Sequence, residues 1–105
     1  MIANTPTAPY FAVIFTSLRA TNDDGYGEMA EKMVQLASQQ EGFLGIESAR
    51  DGLDITVSYW KDLQSIKAWR ENVEHSVARA KGKSDWYSVF KVRIAKVERE
   101  YSFEK

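Results

Sequence analysis

The stretch FLGIESARDGLDITVSYWKD, Phe43 to Asp62, decides the fold. Asp51-Gly52 stands between two runs rich in apolar and β-branched residues, the pattern of a β-hairpin. A two-residue type I′ turn needs positive φ at both central positions, and Asp-Gly supplies residues that tolerate it. Ile55, Val57 and Tyr59 then alternate with Thr56, Ser58 and Trp60, which predicts a strand with two distinct faces.

Upstream of the hairpin, YFAVIFTSLRA (Tyr10–Ala20) is a third strand. Phe11, Val13 and Phe15 share one face; Ala12, Ile14 and Thr16 share the other. Both faces are apolar, so both are expected to be covered. TNDDG supplies turn and N-cap chemistry. From Tyr26 to about Gln40 the spacing becomes helical, with Met29, Met33, Leu36 and Ala37 on one stripe. Gly42 is read as the residue just past that helix. Downstream, Asp62 is a good N-cap. Ile66, Trp69, Val73 and Val77 form a stripe if the second helix is continuous. AKGKSD ends it, and WYSVFKVRIAKVEREY (Trp86–Tyr101) is a long last strand.

The order is β-α-β-β-α-β, an α+β ferredoxin-like arrangement of an antiparallel sheet with both helices on one face. Residues 1–9 read as a flexible N-terminal arm and 10–105 as a single domain. At 105 residues the chain can bury a core of its own. Helices cover only one sheet face, yet every strand carries apolar residues on both. Large exposed apolar patches are uncommon, so two copies are expected to pair sheet against sheet, as a homodimer with two-fold symmetry.

Composition removes several classes of function. With no cysteine there is no disulfide, thiolate nucleophile or Cys-type metal site. A net charge of −1 argues against a broad nucleic-acid surface. No apolar run is long enough to span a membrane, and the N-terminus is not a secretory signal, so a cytoplasmic protein is expected. P-loop, dinucleotide, GxSxG and HExxH motifs are absent.

The chemistry-bearing candidates lie in AWRENVEHSVARAKG, Ala68 to Gly82. His75 is the only histidine, and it suits proton transfer near neutral pH. Its plainer reading is a surface or structural imidazole. Metal binding is not expected, because a lone histidine with Glu71 offers two ligands at most. Trp69 is either a core anchor or the wall of a site for a flat aromatic molecule. In an unbroken helix His75 lies roughly 120° from Trp69, so a shared pocket requires a break or bend near Asn72. Arg79, with Arg70, Lys81 and Lys83, is either part of a solvated basic face or a holder of an anion. Met33 is a core thioether or a flexible pocket wall.

EGFLGIESARD, ITVSYWKDLQSIKAWRENVEH and WYSVFKVRIAKVEREY together resemble the antibiotic biosynthesis monooxygenase superfamily of dimeric α+β-barrel domains. The resemblance runs from about Tyr10 to Tyr101. It implies a pocket between helices and sheet, a small-molecule substrate and O2. It also implies a cofactor-independent monooxygenase acting on an aromatic or polyketide-like molecule. His75, Trp69 and Asn72 are then the catalytic candidates, and Phe15, Met33, Trp60 and Arg79 the substrate-binding ones. Two alternatives accompany it: a haem-binding or haem-degrading protein, and a non-catalytic ligand-binding domain of the same fold. The haem-degrading pattern is not intact, because the tryptophan–histidine spacing is short and the first strand offers Phe15, Thr16 and Ser17 in place of asparagine.

Overall fold

A computed structural model describes residues 2–19, 26–73 and 87–105. Six elements follow one another: β1 (Tyr10–Arg19), α1 (Tyr26–Ser38), β2 (Phe43–Asp51), β3 (Leu53–Trp60), α2 (Leu63–Val73) and β4 (Tyr87–Val97). The sheet order is β2-β3-β1-β4, and all three neighbouring pairs are antiparallel. This is the ferredoxin-like α+β architecture.

Register assigns each side chain to a face. Phe11, Val13, Phe15 and Ser17 of β1 pair with Trp60, Ser58, Thr56 and Asp54 of β3. On the other side Val13, Phe15 and Ser17 pair with Ile94, Val92 and Phe90 of β4. These residues face the helices, because Phe11 and Val13 pack on the core of Ala37, Trp60 and Ile66. Trp60 is the centre of that core, with no exposed surface. Its Nε1 donates to Ser58 Oγ at 2.9 Å, so the buried N–H is satisfied. Phe43 meets it edge-on at 5.5 Å, and Trp69 stacks on it at 6.0 Å.

Among the described residues the helix layer is lopsided. Helix α1 packs chiefly on β2, and α2 on β3. On the helix side of β4, Val92 and Ile94 remain 46% and 51% exposed. The finished core therefore lies over the β2–β3 half of the sheet.

The opposite face is crossed at one end by Ile2–Pro9, the segment read from sequence as a loose arm. Ala3 N donates to Glu47 Oε2 at 2.8 Å, and Thr5 Oγ1 to the Tyr10 hydroxyl at 2.8 Å. A Cβ at Gly45 would stand 3.0 Å from Ala3 Cβ, so the missing side chain lets the arm lie close. Tyr10 and Ala12 are buried on this face, whereas Leu18, Leu53, Ile55 and Val89 are exposed.

Three local expectations are revised. The hairpin tip is Gly52 alone, flanked by the paired Asp51 and Leu53. Positive φ occurs at Gly52 (79°) and at no described non-glycine residue, so the turn is not type I′. Gly42 does not cap α1, which ends at Ser38; it makes the bend into β2 at φ 88°. Finally β4 stops at Val97, and residues 98–105 have no regular structure.

Candidate functional site

Of the catalytic candidates, the structure describes Trp69 and Asn72. His75 and Arg79 lie outside the described residues, as does Val77, the end of the expected stripe. Helix α2 is capped by Asp62, whose Oδ1 accepts the Ser65 N–H at 2.7 Å. That bond is the main cause lowering the Asp62 carboxyl below its usual range. From this start, Ile66 is turned into the core and Trp69 onto Trp60. Asn72, half-buried, stands one residue before the described end of the helix.

Trp69 is thus partly buried, with its ring on a core tryptophan. Trp60 is wholly enclosed and offers no surface to a ligand in this arrangement. Met33 is half-buried on α1. Phe15 lies apart from these, over the β1–β4 half of the sheet. It stacks on Phe90 at 5.4 Å and meets Tyr87 at 5.5 Å, and those two rings touch each other. The structure therefore brings Trp60 and Trp69 together, and places Phe15 in a separate aromatic trio.

Beside that trio is a polar group that periodicity did not single out. Ser17 is 1% exposed, and its Oγ has no hydrogen-bond partner. Directly across the sheet lies buried Asp54, and across from Asp54 lies Arg50. Asp54 Oδ2 accepts Arg19 Nε at 3.0 Å, and its Oδ1 meets Arg50 Nε at 3.4 Å. A carboxylate this deep requires cationic partners, and it has two. One signal was available in the sequence: Asp54 interrupts an otherwise apolar start to β3, on the face that carries Trp60.

A second polar cluster lies beneath the arm. Tyr59 donates to Glu47, and Tyr10 donates to Glu100 Oε1 at 2.9 Å. Burial first, and then the bond to Glu47, raises the Tyr59 phenol to about 12. Glu47 is lowered, first by Tyr59 and then by the Ala3 N–H. For Tyr10 the Thr5 hydroxyl pulls downward, but burial and Glu100 outweigh it and the net shift is upward. This cluster fastens the arm to the sheet. Among the described residues, no group of three or more His, Asp or Glu side chains is placed to hold a metal ion. No described helix is long and apolar enough to cross a membrane.

The fold defines a small α+β domain that carries a strip of aromatic and polar groups on the helix side of its sheet. The model of the antibiotic biosynthesis monooxygenase family matches residues 9–81. The chain belongs to that family. It is 52% identical to the uncharacterized protein YqjZ of Bacillus subtilis (strain 168), over 99% of this chain and 93% of that one. Two solved structures share the fold. A protein of unknown function from Nitrosomonas europaea, NE2512, superposes with a TM-score of 0.66 at 7% identity, covering 95% of this chain and 100% of its own. PA3566 from Pseudomonas aeruginosa gives 0.59 at 18% identity, covering 91% of this chain and 99% of its own.

Proposed function

We propose that this chain is a small cofactor-independent monooxygenase for an electron-rich aromatic molecule, working as a homodimer closed sheet against sheet. Family membership over residues 9–81 carries this reading. Phe15, Phe90 and Tyr87 support it as a ring-binding wall. The uncovered apolar residues Leu18, Leu53, Ile55 and Val89 on the far sheet face support a second copy as the cover.

The chemistry needs no external reductant. A phenol that loses a ring hydrogen and its hydroxyl proton to O2 becomes a quinone; one oxygen atom enters the ring and the other leaves as water. The protein has to remove the proton, steady the anion and keep bulk water away. In this reading His75 takes the proton, Arg79 steadies the anion, and Trp69 and Asn72 bound the site from the α2 side.

Oxygen consumption with a panel of phenols and hydroquinones, corrected for autoxidation, tests the proposal. A responsive substrate should lose about a hundredfold in turnover with His75→Ala, the usual size of a general-base contribution. Uptake that never exceeds the protein-free rate for any panel member would leave ligand binding without oxygenation.

A further inference from the structure

We infer that the end of the helix side of the sheet formed by Ser17, Asp54 and Arg50 is a subsite for the carboxylate of a flat aromatic ligand. This deepens the function proposed above and rests on it only for the ligand being aromatic.

The starting point is the Ser17 hydroxyl. Buried polar groups are nearly always paired, and an unpaired one costs about 1–3 kcal/mol. Ser17 is flanked in register by Asp54 on β3 and Phe90 on β4, so it sits where polar and aromatic surface meet. An alanine there would fill nearly the same space without that cost. A hydroxyl so placed is suited to donate to a ligand oxygen.

The next position in that row, on the far side of Asp54, is the cation Arg50. It meets Asp54 through Nε at 3.4 Å, a long contact, and its side chain is 60% exposed. Exposed pairs of this kind hold weakly. With Nε turned to Asp54, the terminal NH2 groups are left for a second acceptor, and guanidinium matches the planar carboxylate. Asp54 is held in turn by Arg19 at 3.0 Å, so it stays in place if Arg50 leans toward a ligand. The Ser17 oxygen is out of solvent's reach, so a ligand reaches it only as neighbouring side chains shift.

The ring has a place as well. Phe90, the partner of Ser17 on β4, stacks on Phe15, and the exposed Val92 and Ile94 continue the apolar strip toward solvent. A carboxylate at Ser17 and Arg50 thus leaves an attached ring over Phe15 and Phe90.

The test is an NMR titration of the amide signals with 2-naphthoate, against 2-naphthol as its uncharged counterpart at neutral pH. Naphthoate should saturate with the largest shifts at Ser17, Asp54 and Phe90. Arg50→Gln should weaken it about tenfold while changing 2-naphthol less than twofold. Ser17→Ala should weaken it about threefold yet leave the melting temperature unchanged or higher, which shows that the variant folds. Equal affinity for both probes would overturn the subsite. So would undiminished naphthoate binding by Arg50→Gln, or the absence of saturation. If naphthoate binding depends on Arg50 while no phenol supports oxygen uptake, the oxygenase reading falls alone. If uptake occurs and naphthoate ignores Arg50, the subsite falls alone.

Discussion

At the scale of single residues, two glycines with similar backbones carry different constraints. Gly42 and Gly52 both have positive φ, a region that costs an L-residue about 1–2 kcal/mol. Around Gly52 nothing lies within 4 Å of an added Cβ, whereas at Gly42 it would collide with the Ser65 side chain. Gly52→Ala should therefore cost only the backbone term, about 1 kcal/mol in urea denaturation. Gly42→Ala should cost clearly more, and Ser65→Gly should recover part of the excess in a double-mutant cycle. Titration separates two further residues. Tyr59 favours its neutral form, so its contribution to stability is whole below its ordinary 10.0 and lost as pH rises through about 12. A phenolate absorbance titration should show a late component that Tyr59→Phe abolishes. Glu47 runs the other way: its lowered value gives stability that is present at neutral pH and lost as acid protonates it. Glu47→Gln should accordingly flatten the acid limb of the stability profile.

At the scale of elements, the strands and helices were legible because each obeys one period along its whole length. Alternation in Ile55–Trp60 and in Phe11–Thr16 assigned faces that the register repeats. Turn chemistry was less legible. Asp51-Gly52 announces a reversal, but the loop needed positive φ at Gly52 only, since the strands close in a different register. Gly42 lies close enough to α1 in sequence to look like its cap; its actual constraint comes from Ser65, distant in sequence, which no local pattern contains. The same holds for Ser17, Asp54 and Arg50. They belong to three strands, and only the register aligns them in a row. The arm, too, is tethered by Glu47, more than forty residues away, so its composition could not show where it lies.

At the scale of the whole molecule, the two sheet faces differ in what remains uncovered. The face crossed by the arm keeps Leu18, Leu53, Ile55 and Val89 exposed. Light scattering coupled to gel filtration should report twice the chain mass. Ile55→Asp should halve it, because each copy would bring a buried, unpaired carboxylate to a symmetric contact. A single species of one chain mass for the unaltered protein would refute the pairing. The lopsided helix layer has a different consequence. Trp60, Ile66 and Ala37 form a tightly interlocked block in which few exchanges are tolerated, while among the described residues the helix side of β4 bears the exposed Val92 and Ile94. Inherited change should therefore accumulate unevenly, and lineages that keep this scaffold are free to alter what they hold while standing on the same half.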